Sequence, residues 1–242
     1  MTFYSSISAY YDEIFPVDAN EMAFVRKQLD DCTSGCKNLL DIGCGSGNKT
    51  ELLAGNGRKI IAIDGDAGMI EEAKKNHTRP DIEYLSLDMT KIAQAFKPES
   101  FDALLCLGNT LVHLPGPEDI ARLLAEMGGI LKPGGLAVIQ ILNYDRILDK
   151  MLHALPQLET DKLKFTRYYD LQNCRMLFVT KLLVKETGQE INNSIPLYPL
   201  RKNELNFMLG EAGFLEVKHY GSYSGEPLTD DSFPLIAVAR KA

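Results

Sequence analysis

The feature that most constrains how this chain can fold is an alternation of short apolar runs with stretches of helical spacing. The runs NLLDIG, KIIAID, IEYLSL, FDALLCLG and LAVIQIL are separated by segments such as DAGMIEEAKKNH and PEDIARLLAEMGGIL. Runs that are apolar at almost every position are buried on both faces, and helices between them provide the crossovers. The pattern predicts an α/β fold with a doubly wound, mostly parallel sheet of Rossmann-like type. Ahead of it, Met22, Phe24, Val25 and Leu29 recur at helical spacing behind Asp18, a good helix cap, so a surface helix leads into the core.

After about Asn143 the pattern changes. KFTRYYDL, RMLFVTKLLVKE and EINNSIPLYPL are rich in Thr, Tyr, Phe and Val, with turn signals at LQNC and ETGQE, and predict an antiparallel β insert after the fifth strand. A helix over about Arg201 to Ala212, stopped by Gly213, and a hairpin of FLEVKHYG and SFPLIAVAR close the chain. At 242 residues this reads as a single domain. Its expected parts are an N-terminal flap and helix (1–36), a core (37–143), the insert (144–200) and the closing helix and hairpin (201–242).

A net charge of −7, without a Lys/Arg run, repels a phosphate backbone and argues against a nucleic-acid partner. A small local basic patch for tRNA is the remaining exception. The N-terminus lacks a basic region ahead of an apolar stretch, and the longest apolar runs are of strand length, so neither export nor membrane insertion is expected and the chain reads as cytoplasmic. The five cysteines, Cys32, Cys36, Cys44, Cys106 and Cys174, form no paired metal-ligand pattern and read as reduced thiols with no metal.

LDIGCGSG follows the first strand and opens a helix, where a Gly-rich turn brings backbone N–H groups close to a ligand. A nicotinamide dinucleotide is the obvious occupant, since Asp64 ends the second strand where ribose hydroxyls would lie. Two residues oppose it. The third glycine of the dinucleotide fingerprint is replaced by Asn48, and Asp41 would set negative charge beside a pyrophosphate. S-adenosylmethionine, with a sulfonium, an ammonium and no phosphate, suits Asp41. Asp88, at the end of the third strand, accepts hydrogen bonds only and so matches the adenine amine, although an Asp before Thr90 also serves as a helix cap. Met69 and Met89 are suited to the adenine faces.

LDIGCGSG, the acidic end of IIAID, Asp88-Met89 and the KPGG turn at Lys132 to Gly135 together resemble the successive motifs of class I S-adenosylmethionine-dependent methyltransferases. The resemblance implies a seven-stranded sheet whose last strand is antiparallel, and a cofactor site of Tyr11, Asp41, Gly43, Cys44, Gly45, Gly47, Asp64, Gly65, Met69, Asp88, Met89, Leu107 and Gly108. Tyr11 belongs to a YYD element, Tyr10 to Asp12, that with Tyr4 resembles an N-terminal flap closing over the cofactor, and a tyrosine face beside a sulfonium stabilises its charge. A surface segment docked by its aromatics is the plainer reading.

CLGNTLVHLPG and NYDRIL resemble the corresponding segments of glycine N-methyltransferases, and the insert resembles that of small amino-sugar N-methyltransferases, where it roofs the acceptor pocket. These resemblances imply acceptor contacts from Asn109, His113, Leu142, Asn143, Tyr144, Arg167 and Tyr169, with Tyr168 and Tyr198 nearby, and catalytic roles for His113, Asn109 and Tyr11. Plain strand packing explains the insert aromatics equally well, and His113 near a helix start also fits a structural role. One departure stands out: the family's carboxylate-binding arginine directly before Asn-Tyr-Asp is Leu142 here. The expected acceptor is therefore a small molecule without a free carboxylate at this position, such as an amine on a sugar, unless Arg167 or Arg146 supplies the charge.

The expected reaction is methyl transfer by in-line displacement from an already activated donor, in which the protein's main work is alignment and exclusion of water. A neutral amine attacks with its lone pair; an oxygen or carbon acceptor needs a base such as His113 or a tyrosine. The alternatives are a non-catalytic S-adenosylmethionine-binding protein, or an O-, C- or tRNA-modifying enzyme of the same fold, acting as a monomer or homodimer.

Overall fold

The computed structural model describes residues 3–32, 35–172 and 175–242; Cys174 and the centre of the LQNC turn lie outside them. Five strands, β1 (Asn38–Ile42), β2 (Lys59–Asp64), β3 (Ile82–Ser86), β4 (Phe101–Cys106) and β5 (Leu131–Leu142), run parallel. Four more, β6 (Ala154–Glu159), β7 (Leu163–Gln172), β8 (Arg175–Val184) and β9 (Gln189–Leu197), form a separate antiparallel sheet. Finally β10 (Phe214–Tyr220) and β11 (Pro234–Lys241) complete the main sheet in the order β10-β11-β5-β4-β1-β2-β3, with β11 antiparallel to both its neighbours.

The alternation of side chains along a strand explains the layers. Leu40 and Ile42 of β1 and Leu104 and Cys106 of β4 face helix Pro117–Ile130, meeting Ile120, Leu123, Leu124 and Met127. Their neighbours Leu39, Ala103 and Leu105 pack on the other side against Met22, Phe24, Val25 and Leu29 of helix Ala19–Asp30. Asp18 caps that helix by accepting from Asn20 N at 2.8 Å. Every residue of β4 is buried.

Two details depart from the sequence reading. The strand containing LAVIQIL begins at Leu131, because Phe101 pairs with Leu131 while Ala103 pairs with Leu136, so the KPGG segment bulges out between two pairings of one strand. The insert also has a fourth strand, β6, whose ALPQLE run contains Pro156 and shows no alternating apolar pattern. It survives as an edge strand with a register shift between Leu155 and Leu158. The closing helix spans Lys202–Glu211 and ends before Gly213, whose φ of +86° suits a glycine stop.

From β1 the chain steps outward to β2 and β3, then returns to place β4 on the other side of β1. The loops leaving β1 and β4 therefore diverge, and a crevice opens at the carboxyl ends of these strands. At the opposite end Asp102 braces the same strands. Its buried carboxylate accepts from Lys37 N at 3.0 Å, Asn38 N at 2.7 Å and Lys132 Nζ at 2.7 Å. Burial alone would raise the Asp102 pKa, but Lys132 and the two N–H groups outweigh it and the pKa is lowered. A lowered folded-state pKa stabilises above the ordinary carboxylate range and is lost on acidification. Asp102→Ala should thus lower stability by about 2–4 kcal/mol at pH 7, with the deficit shrinking below about pH 4, measured by urea unfolding across pH.

Candidate active site

The segment after β1 is a tight turn held by the neighbouring strand. Gly43 N and Cys44 N both donate to Ile63 O, at 2.8 and 3.0 Å, and Gly45 N donates to Asp64 Oδ2 at 2.9 Å. Gly47 then caps helix Asn48–Leu53 with φ +81°, and a Cβ there would meet the Tyr84 hydroxyl at 2.7 Å, so glycine is required by conformation and by space. Asp64 does more than end a strand: Oδ1 also accepts from Asp66 N at 2.9 Å. Asp66, which the sequence reading passed over, caps helix Ala67–Asn76 and binds Ser5 N at 3.1 Å and Ser5 Oγ at 2.6 Å. An Asp before an Ala-Gly-Met helix start was the available signal.

The N-terminal segment lies across this turn. Asp12 accepts from Ser46 Oγ and, through Oδ2, pairs with His77 Nε2 at 3.1 Å, while His77 Nδ1 meets Glu51 Oε2 at 2.7 Å. Burial opposes a charge on His77, yet Glu51 and Asp12 outweigh it and its pKa is raised. On the other side Ile7 and Ile14 pack with Leu163, Phe165, Leu182 and Val184 of the insert, and Phe15 meets the Phe165 ring edge-on at 5.7 Å. The segment is thus a layer clamped between the main sheet and the antiparallel sheet.

Beneath it the crevice divides into two lobes of about 320 and 200 Å³. The larger is lined by Gly45, Asp64, Gly65, Met69, Asp88 and Met89; the smaller by Asp41, Cys44, Asn109, Leu142, Arg167 and Tyr169. Tyr4, Tyr11, Gly43, Leu107, Gly108 and His113 line both and form the neck. The smaller lobe also has walls that the sequence reading missed, from Leu155, Phe178, Leu197 and Phe233; as isolated apolar residues they carried no signal.

Some expected residues do other work. Asp88 caps the short turn after β3, accepting from Thr90 N and Thr90 Oγ1, both on Oδ1, while remaining exposed to the larger lobe. Asn109 uses its amide internally: Oδ1 accepts from Leu142 N at 3.0 Å and Nδ2 donates to Tyr144 OH at 3.0 Å, tying the loop after β4 to the end of β5. Asn143 caps helix Tyr144–Asp149 and donates to Thr229 O and Ser232 O; Tyr144 is fully buried. Neither lines a lobe, nor does Gly47. Along β7 the pleat turns Tyr169 inward, while Tyr168 is 46% exposed on the opposite face. Tyr198 lies outside both linings and donates to Glu204 at 2.6 Å.

A methyltransferase domain model matches residues 40–139. The glycine/sarcosine N-methyltransferase of Aphanothece halophytica is 31% identical over 214 residues, covering 86% of this chain and 77% of that protein. The chain belongs to the S-adenosylmethionine-dependent methyltransferases. Among solved structures, the methyltransferase CcbJ of Streptomyces caelestis superposes with TM-score 0.82 at 19% identity over 100% of this chain and 98% of that one. CalS10 of Micromonospora echinaspora, an amino pentose methyltransferase solved with S-adenosylmethionine bound, gives TM-score 0.74 at 20% identity, again over 100% and 98%. These two show the shared fold. No helix among the described residues is long and apolar enough to cross a membrane.

Burial tunes the titratable groups of this methyltransferase. Desolvation raises the Asp41 pKa to about 6, against the Thr50 hydroxyl, which donates to Oδ2 at 2.6 Å, and Lys49. Desolvation lowers the His113 pKa to about 4, so the ring is neutral at pH 7; its Nε2 lies 2.9 Å from Tyr4 OH, and Nδ1 is buried without a partner among the described residues. The same cause raises Tyr4 and Tyr11, keeping both phenols protonated. A carboxylate whose pKa rises on folding contributes stability at low pH that is lost as pH climbs through about 6. Asp41→Asn should therefore stabilise the ligand-free enzyme by on the order of 2–3 kcal/mol above pH 7 and by nothing below pH 4, in paired thermal melts.

Proposed function

We propose that the larger lobe holds the adenosyl part of S-adenosylmethionine, with Asp64 accepting from the ribose hydroxyls, Asp88 from the adenine amine, and Met69 and Met89 against the ring. The methionyl part passes the neck between Gly43 and Gly108, where the turn has no side chains to block it, and its ammonium faces Asp41. Cys44, Gly45, Gly65 and Leu107 complete this surface. The sulfonium then sits beside Tyr11, whose protonated ring offers a face to the positive charge. The observation that carries this reading is the pair of lobes meeting at one neck lined by Tyr4, Tyr11 and His113.

The methyl acceptor in this reading is a small amine in the smaller lobe. Its neutral nitrogen attacks the methyl carbon in line, the C–S bond breaks as the C–N bond forms, and S-adenosylhomocysteine leaves. The product ammonium loses its proton to solvent afterwards, so no strong base is required. Nitrogen is favoured over oxygen by the state of the site: with its pKa near 4, His113 is a weak base for a hydroxyl. Asn109 acts by positioning, since its amide already holds Leu142 and Tyr144. Asn143 and Tyr144 support the same loop from below, and Leu142 gives an apolar wall with no charge for a substrate carboxylate.

Incubation with panels of amines and matched alcohols, followed by assay of S-adenosylhomocysteine, tests the proposal: amines should turn over, and turnover of alcohols alone would overturn it. Asp64→Ala should weaken S-adenosylhomocysteine binding by about 10- to 150-fold, on the order of 1.5–3 kcal/mol, with exposed Asp161→Ala unchanged, by calorimetry. Equal affinities would remove Asp64 from the ribose. Glycine should be a poor acceptor for the wild type and improve in Leu142→Arg, as read from kcat/KM.

A further inference from the structure

We infer that Arg167, on the insert strand β7, is the anchor for a carboxylate on the acceptor, so that the substrate is an amino carboxylate whose acid group docks on the insert while its amine reaches the neck. This rests on the proposed amine methylation and assigns its substrate class.

The argument begins with a charge that has no counter-charge. Two cationic side chains line the smaller lobe, Lys49 and Arg167. Lys49 is neutralised within the protein by Glu21 Oε1 at 2.7 Å. Arg167 takes part in none of the ion pairs among the described residues. Its guanidinium is nevertheless fixed: one terminal NH2 donates to Pro156 O at 2.8 Å, and the group lies 6.0 Å from the centroid of the Phe165 ring. Nε is buried with no hydrogen-bond partner among the described residues. Desolvation lowers the Arg167 pKa, which marks the charge as poorly solvated where it stands. A held, partly desolvated guanidinium with donors unspent matches the fork that a carboxylate fills.

A second donor points the same way. Tyr169, two residues on and therefore on the same face of β7, has a buried hydroxyl without a partner among the described residues, and it lines the same lobe. Arg146, the other arginine with a claim to this role, lines neither lobe. Leu142, Leu155, Phe178 and Leu197 give the same lobe an apolar wall, which suits a short methylene spacer. Glycine, whose acid and amine share one carbon, is disfavoured by the same layout.

The test compares glycine, β-alanine and 4-aminobutanoate with their carboxamides in the wild type, Arg167→Met and Tyr169→Phe, alongside binding of butanoate to the S-adenosylhomocysteine complex. The wild type should prefer a longer amino carboxylate over its amide by roughly 50-fold in kcat/KM, mainly through KM. That ratio should collapse in Arg167→Met and fall less in Tyr169→Phe, and butanoate affinity should fall with it while S-adenosylhomocysteine affinity holds. An unchanged ratio in Arg167→Met, or equal use of acid and amide by the wild type, overturns the inference and leaves amine methylation standing. Weaker S-adenosylhomocysteine binding in Arg167→Met by a similar factor also overturns it, because the arginine then serves the cofactor. Arg167-dependent butanoate binding with no amine turned over supports the anion site and sinks the proposed function.

Discussion

The structure hangs on the hydrogen bonds that hold the turn after β1 against the end of β2. Gly43 N, Cys44 N and Gly45 N all donate to Ile63 O or Asp64 Oδ2. This fixes a glycine-rich chain reversal at the place where the loops of β1 and β4 part company. A Cβ at Gly43 would meet the Thr110 side chain at 2.4 Å and one at Gly47 the Tyr84 hydroxyl at 2.7 Å, so side chains at these positions would force their neighbours to move. The open crevice is therefore a backbone property first, and the side chains around it are fitted to that opening.

Closure comes from a different part of the chain. The segment carrying Tyr4 and Tyr11 buries Ile7 and Ile14 against Leu163, Phe165, Leu182 and Val184 of the insert. Its polar fastenings, Ser5 to Asp66 and Asp12 to Ser46 and His77, attach it to the turn and to the helices that the turn starts. The walls of the neck thus depend on the same few residues that define the crevice. Burial within this layer keeps Tyr11 protonated, and burial beneath it keeps His113 neutral.

Much of the fold was legible because each strand of the parallel core is apolar throughout and each crossover has helical spacing. The motif residues at the strand ends lie around the crevice for the same reason: strand ends are fixed by the pattern. The insert was legible only as β structure. Edge strand β6 carries Pro156 and no alternation, and its pairing with β7 is a tertiary outcome. Site residues whose work is internal were the hardest to read. Asn109, Asn143 and Tyr144 sit in motifs that suggest substrate contact, yet their polar atoms are engaged with the loops around them. Conversely Asp66 carries both a cap and the Ser5 anchor, and nothing in its local sequence distinguished those two tasks. The smaller-lobe walls Leu155, Phe178 and Leu197 come from three separate insert strands, brought together only by folding.

The central claim is that one continuous crevice carries the adenosyl part of the donor in its larger lobe, passes the methionyl part through the neck toward Asp41, and holds the acceptor in the smaller lobe, with transfer at the neck. A crystal structure of the complex with S-adenosylhomocysteine tests it most directly. The ribose should lie within hydrogen-bond distance of Asp64, the adenine amine beside Asp88, and the sulfur between Gly43 and Gly108 facing the smaller lobe. Adenine in the smaller lobe, or a sulfur turned away from His113 and Arg167, would contradict the account.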